Sequence, residues 1–229
     1  MAHSELVESL KGKLIVSVQA YPGEPMRHPE TMAQIARACE LGGAAAIRCQ
    51  GLSDISAIKG RVEIPVIGLW KEGHEGVYIT PTLRHARACV HAGADVVALD
   101  ATDRPRPDGR TLEETVAALR AESDVLIMAD CMTMDDIRRS VAAGCDLVST
   151  TLSHNKAAID TTLDDGPDIA LLKQATTEFP GIAIICEGHV HTPQDAKDAL
   201  DAGAWAVVSG TAITHPTSIT SWFAAALED

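Results

Sequence analysis

LGGAAAIR (41–48), HAGADVVAL (91–99), AAGCDLVST (142–150) and DAGAWAVVS (201–209) are four variants of one pattern. Each reads as a helix end, a glycine, and then a run of small or branched apolar residues. Gly43, Gly93, Gly144 and Gly203 stand 50, 51 and 59 residues apart. Glycine suits the left-handed cap that turns a helix into the following strand. A period of that length holds two strand–helix units, so four repeats make eight. Working outward, strands are expected at Leu14–Gln19, Ala44–Cys49, Pro65–Leu69, Asp95–Asp100, Val125–Asp130, Asp146–Thr151, Ala183–Glu187 and Ala206–Gly210. Most are near-continuous runs of Val, Ile, Leu and Ala, the pattern of a parallel sheet covered by helices. Helical patterns fall between them at Pro29–Leu41, Leu83–His91, Thr111–Ala121, Met134–Ala143, Asp168–Phe179 and Pro193–Ala202. Thr111 and Glu114 have capping-box spacing. An open doubly wound sheet usually has five or six parallel strands, so eight favour closure. The expectation is an α/β fold, one (β/α)8 TIM barrel domain spanning residues 1–229.

Composition narrows the partners. The net charge of −13 argues against nucleic acid and against an anionic membrane surface. It does not exclude a small anion, because backbone N–H groups at a helix end hold phosphate whatever the global charge. No apolar run approaches the roughly 18 residues of a membrane span, and MAHSELVESLKGK lacks the features of a secretory signal. Six cysteines, at 39, 49, 89, 131, 145 and 186, form no C-x-x-C pair and lie mostly in apolar runs. They read as small core residues of a cytoplasmic protein. No metal site is expected, since nothing has ligand spacing, and no cofactor, since no nicotinamide fingerprint is present.

The strand ends carry the chemistry. The first ends at Gln19, the second runs through Arg48, and the third, PVIGLW, runs into Lys71. The fourth and fifth end at Asp100 and Asp130, the sixth at Thr150 and Thr151, the seventh at Glu187, and the eighth at Ser209–Gly210–Thr211. Singly, each reads as the first solvated residue of a loop. In a closed barrel, however, Lys, Arg, two Asp and one Glu would meet in one small volume, where perturbed pKa values do work. Lys71 is the sharpest candidate: burial beside another cation lowers a lysine's pKa and frees the amine as a base. Arg48 is placed to polarise a carbonyl oxygen, and Glu187 and Asp130 to orient a hydroxyl or shuttle a proton. ICEGH (185–189) and VVSGTAITHP (208–217) put glycines just after the last two strands, where phosphate can approach the backbone.

These residues resemble the N-acetylmannosamine-6-phosphate 2-epimerases over nearly the whole chain. LIVSVQAYPGEP, AIRCQG, PVIGLWK, VYITPT, GADVVALDATDRPRPDG, MADC, STTLS, CEG and GTAIT follow the family's order and spacing. The resemblance implies a barrel that interconverts N-acetylmannosamine 6-phosphate and N-acetylglucosamine 6-phosphate in sialic acid catabolism. Lys71 is then the proton-transferring residue and Glu187 the assisting carboxylate. Gln19, Arg48, Asp130 and Thr150 match substrate-contacting positions, and Gly188, His189, Gly210 and Thr211 the phosphate cradle. The partner implied is a small-molecule sugar phosphate, and a homodimer is compatible with it. Three places differ from the family pattern. His189 and His215 stand where the family usually has arginine, and Ser153–His154–Asn155–Lys156 replaces its usual Ser-Gly-Tyr-Thr.

Inverting C2 means breaking the C–H bond beside C1, which is an aldehyde in the open-chain sugar. Loss of the C2 proton gives an enolate, and a proton then returns to the opposite face. Either two acids flank C2, or one lysine serves both faces. Two rivals remain: an aldolase whose Lys71 forms a Schiff base, and a non-catalytic sugar-phosphate-binding protein on the same barrel.

Overall fold

The computed structural model describes residues 3–153 and 166–228. Eight parallel strands close on themselves in sequence order: β1 Leu14–Val18, β2 Ala46–Gln50, β3 Val66–Leu69, β4 Val96–Asp100, β5 Leu126–Asp130, β6 Leu147–Ser149, β7 Ala183–Glu187 and β8 Ala206–Ser209. Around them lie α1 His3–Ser9, α2 Pro29–Leu41, α3 Leu52–Lys59, α4 Leu83–His91, α5 Leu112–Arg120, α6 Met134–Ala142, α7 Ile169–Glu178, α8 Pro193–Asp201, α9 Thr211–Thr214 and α10 Pro216–Ala225. Closure is made by β1 pairing β8, with Leu14 opposite Val207 and Val16 opposite Ser209. This is the (β/α)8 barrel read from the repeats. Most strands begin or end a residue or two from the expected positions. Gln19, Thr150 and Gly210 therefore fall just past their strands.

The four repeat glycines do what their spacing implies. Gly43, Gly93, Gly144 and Gly203 have φ of 100°, 102°, 78° and 100°, a region that costs an L side chain strain. At each one the glycine N–H reaches the carbonyl three residues back and the next residue reaches the one five back. Gly93 bonds to Val90 and Ala94 to Cys89, for example. That pair of bonds is a Schellman cap. The aspartates of the second and third repeats add a tie to the neighbouring strand: Asp95 accepts from the Val66 N–H at 2.8 Å and Asp146 from Ile127 at 2.7 Å. The capping box at Thr111 and Glu114 is formed, and two more with aspartate at N3 stand at Thr133/Asp136 and Thr192/Asp195.

Alternation along the strands divides the apolar residues into two cores. Val16, Ile47, Val66, Val97, Ile127, Val148, Ile184 and Val207 pack outward against the helices. Ile15, Ala46, Ile67, Val96, Leu126, Leu147, Ala183 and Ala206 fill the barrel. Helix α1, not anticipated from the sequence, adds Leu6 to the inner core next to Leu10, and the Trp205 indole N–H bonds the Val7 carbonyl at 2.9 Å. One glycine on β3 is required by packing: a Cβ on Gly68 would meet Ala94 Cβ and Ile55 Cδ1 at 2.8 Å. Among the described residues, no helix is long and apolar enough to cross a membrane.

Candidate active site

A cavity of about 750 Å³ opens at the carboxyl ends of the strands, the face where β/α barrels carry their chemistry. Its floor is charged. Arg48 on β2 is 1% exposed and Asp130 at the end of β5 is fully buried. The guanidinium grips the carboxylate with two parallel bonds, Nη2 to Oδ2 at 2.7 Å and Nη1 to Oδ1 at 3.1 Å. Its Nε lies 3.0 Å from Glu187 Oε1 at the end of β7, close enough to pair but off the line of a hydrogen bond. The Thr151 hydroxyl donates to Asp130 Oδ1 at 2.8 Å. One guanidinium thus serves two carboxylates, and it is held more firmly protonated by them.

Lys71 enters from the loop after β3. Trp70, Lys71 and Glu72 turn back on Tyr78, Ile79 and Thr80 as a short antiparallel pair. Burial is the main cause that lowers the Lys71 amine from its ordinary range to about 8. The Arg48 charge pushes the same way, and Glu187 and Asp130 oppose it. Burial likewise raises the Glu187 carboxyl to about 7 against the pull of Arg48. Two groups normally six pH units apart therefore titrate about one unit apart, facing the same cavity.

The sequence candidates are not used alike. Gln19, Arg48, Lys71, Glu187, Gly188, His189, Gly210 and Thr211 all line the cavity. Asp130 lies beneath it, covered by Arg48. Thr150 does not line it: its hydroxyl donates to the Glu187 carbonyl at 3.1 Å and accepts from the Glu187 N–H at 3.2 Å, so it fixes the end of β7. Its neighbour Thr151 faces the cavity instead. Asp100 is turned into its own loop, accepting from the Thr102 hydroxyl at 2.6 Å and Arg104 Nη2 at 2.7 Å. His215 also lines the cavity, but it caps α10, with its Nδ1 2.6 Å from the Ser218 hydroxyl, and its Nε2 lies 3.3 Å from Glu24. Gly210 is bare because a Cβ there would come within 3.1 Å of Ser17 Cβ. His154, Asn155 and Lys156 lie outside the described residues.

Tyr21, Tyr78, Arg27, His74 and His191 also line the cavity, and the sequence had not marked them. Burial raises both tyrosine hydroxyls above their ordinary range. His191, lowered mainly by burial, packs its ring 5.1 Å from Trp222 of α10. Among the described residues, Gln19 Oε1, Glu187 Oε2 and His191 Nδ1 are buried on the cavity wall without a hydrogen-bond partner. A buried polar atom left unpaired costs about 1–3 kcal/mol, so these atoms are open to a hydrogen-bonding partner in the cavity. Among the described residues, no His, Cys, Asp or Glu group could hold a metal ion.

The family described as "Putative N-acetylmannosamine-6-phosphate epimerase" matches residues 32–229. A protein of Cutibacterium acnes named as such a 2-epimerase is 57% identical over 223 residues, covering 97% of this chain and 96% of that one. Its counterpart in Corynebacterium glutamicum is 47% identical, covering 98% and 97%. The solved structure of the N-acetylmannosamine-6-phosphate 2-epimerase from Clostridium perfringens superposes with a TM-score of 0.88 at 38% identity, covering 96% of this chain and 95% of that one. With its barrel, its buried lysine and its paired carboxylates, this chain belongs to the N-acetylmannosamine-6-phosphate 2-epimerase family.

Proposed function

We propose that this protein epimerises C2 of N-acetylmannosamine 6-phosphate to give N-acetylglucosamine 6-phosphate, and the reverse, by moving one proton. The observation that carries this reading is the Lys71–Glu187 pair. With one group at about 8 and the other at about 7, the pair holds a single proton between those values. A group matched to the operating pH is the most effective acid or base. With the sugar open, one member takes the C2 proton as the C1 aldehyde becomes an enolate. The other carries the proton that returns to the opposite face. One C2–H bond is broken on one face, its electron pair is held in the enolate, and a new C2–H bond forms from that pair on the other face, so no hydride leaves and no redox partner is needed.

Arg48 spends one hydrogen of each Nη on Asp130 and turns Nε toward Glu187, which leaves it a hydrogen to donate into the cavity it lines. It holds both carboxylates in place and lowers the lysine. The Gln19 amide is also placed for substrate: its Nε2 spends one hydrogen on Ser17 Oγ at 2.8 Å, and its Oε1 is unpaired. The phosphate is assigned to the turns after β7 and β8. Gly188 has φ of 106° and no neighbour closer than 3.7 Å to an added Cβ, which leaves the backbone open to a bulky anion. His189 and His191 flank it, and the first N–H groups of α9, after Gly210, have no helical acceptor.

The experiment is proton exchange at C2. Incubated in deuterium oxide with N-acetylmannosamine 6-phosphate, the protein should label C2 of both sugars. Lys71→Ala should lose at least 10²- to 10⁴-fold of that rate, the scale of a positioned acid or base, with an unchanged circular dichroism spectrum. A folded Lys71→Ala variant with near-normal exchange would remove the assignment. Borohydride added during turnover separates it from an imine-forming lysine, which alone would be trapped covalently on Lys71.

A further inference from the structure

His85 is the most buried histidine beside the mouth, and the proton transfer does not use it. It sits on the first turn of α4, is 1% exposed, and touches the residues on both sides of Lys71. Its ring lies against Trp70, with centroids 4.4 Å apart at 58°. Its Nε2 lies 3.0 Å from Glu72 Oε2. Its Nδ1 is 2.6 Å from the hydroxyl of Thr82, the residue that begins α4. A carboxylate only accepts, so Nε2 carries the hydrogen toward Glu72, and Nδ1 of the neutral ring accepts from Thr82. Arg84 adds to the same grip, with its guanidinium 5.3 Å from the Trp70 ring centre and 3.8 Å from Glu72.

The geometry matters because Trp70–Glu72 is extended. Along an extended chain, residues 70 and 72 project to one face and 71 to the other. A side chain that holds both 70 and 72 against α4 therefore turns 71 toward the barrel mouth. The returning strand is fixed as well. Thr80 N–H bonds the Trp70 carbonyl at 2.9 Å, Thr80 Oγ1 accepts from the Trp70 N–H at 3.1 Å, and the Ile79 carbonyl accepts from the Asp100 N–H at 2.9 Å. The tip beyond Glu72 is exposed from Gly73 to Gly76. Among the described residues, none from Gly73 to Gly76 makes a hydrogen bond, so the hold comes from the base of the hairpin.

We infer that His85 is a positioning residue for Lys71, clamping Trp70 and Glu72 to helix α4 so that the amine is held within the buried mouth. The inference rests on Lys71 being the acid/base group. Loosening the clamp admits water to an amine whose neighbours are Arg48, Asp130, Glu187 and the Tyr21 ring. Its proton affinity then moves back toward that of a solvated lysine.

The test compares His85→Phe, which keeps the stacking and loses both polar contacts, with His85→Gln, which restores a donor toward Glu72. A second route, Glu72→Ala, removes the same contact from an exposed residue and spares the core if His85→Phe fails to fold. His85→Phe and Glu72→Ala should each lower kcat about 10- to 100-fold, the scale of an ångström-sized displacement of a reacting group, with little change in KM. The alkaline limb of the pH profile should move up by a unit or more, and His85→Gln should recover part of both effects. Labelling of the Lys71 amine by an acylating reagent, read by mass spectrometry across pH, should show the same upward shift without any turnover. Unchanged labelling and kcat in folded His85→Phe and Glu72→Ala, alongside an inactive Lys71→Ala, would overturn the clamp and leave the lysine's role intact. An active Lys71→Ala would instead remove the reading beneath it.

Discussion

The most exposed consequence of the site is the shape of its pH profile. Catalysis by the pair requires one proton shared between Lys71 and Glu187. Below about 7 both groups are protonated, above about 8 both have lost their protons, and neither state has an acid and a base together. With those two values, roughly 60% of the free enzyme is in the working state at its optimum near pH 7.5, and about 9% at pH 6 or pH 9. The profile of kcat/KM should therefore be a narrow bell that falls roughly 7-fold on either side. Had burial not moved the two groups, ordinary values for glutamate and lysine would leave the rate flat within a few per cent over the same span. The assay is C2 exchange or epimer formation between pH 5.5 and 9.5 at constant ionic strength. A phosphate monoester itself titrates near 6, so the acid limb must be repeated with unphosphorylated N-acetylmannosamine, where it should persist. Glu187→Gln adds a directional check. Glu187 raises the Lys71 value, so without its charge the alkaline limb of the residual activity should move down from about 8. A flat profile, or an alkaline limb that rises in Glu187→Gln, would refute the shared-proton reasoning.

Three further outcomes follow from packing and charge. Arg48→Met should cost about 3–5 kcal/mol in chemical denaturation, because it leaves Asp130 charged and unpaired in the interior; an unchanged midpoint would show that water reaches the pair. Gly68→Ala should cost about 1–3 kcal/mol, since its Cβ collides with Ala94 and Ile55 at 2.8 Å, read as a lower Tm with normal kcat in whatever folds. His189→Arg should lower KM for the phosphorylated sugar and leave the unphosphorylated one unchanged, whereas His215→Arg should lose the α10 cap, about 0.5–2 kcal/mol, with no gain in binding; equal effects on both sugars would separate His189 from the phosphate.

What the sequence made legible was local and repetitive. The glycine at the end of each repeat announces a backbone conformation that few other residues tolerate, and the strands that follow are apolar on both faces, so eight units could be counted. The ionisable strand ends could be named for the same reason, as polar residues closing apolar runs. Which way each one turns could not be read. Thr150 and Thr151 are identical in type and adjacent, yet one secures the β7 backbone and the other faces the cavity. The difference is set by where β6 ends, and that end is two residues earlier than the expected strand. Arg48 could be named at its strand end, but not its grip on two carboxylates, because those contacts join strands 82 and 139 residues apart in sequence. His85 lay inside an amphipathic helix, where a histidine is usually solvated. Thr82 at the start of its own helix takes one ring nitrogen, and the return of the 70–80 hairpin onto α4 supplies Trp70 and Glu72.

The charges at the mouth constrain one another more than any one of them acts alone. Two cations and two carboxylates share one floor, and the arrangement works because they are not paired evenly. Arg48 takes Asp130 through two bonds and Glu187 through one edge, so Lys71 is left without a full counter-charge of its own. A lysine that monopolised Glu187 would be a stable ammonium, and a glutamate that monopolised Arg48 would be a stable carboxylate. Neither would give or take a proton near neutrality. Because Arg48 divides its attention, burial decides the outcome, drawing the amine down and the carboxyl up until they nearly meet. Asp130 makes this possible from beneath the cavity, 0% exposed, as the partner that keeps Arg48 charged and still. Changing it to asparagine would leave Arg48 with Glu187 as its remaining carboxylate, deepen that pairing, and move the acid limb of the bell down; the alkaline limb should move down with it, because the Asp130 charge also raises Lys71.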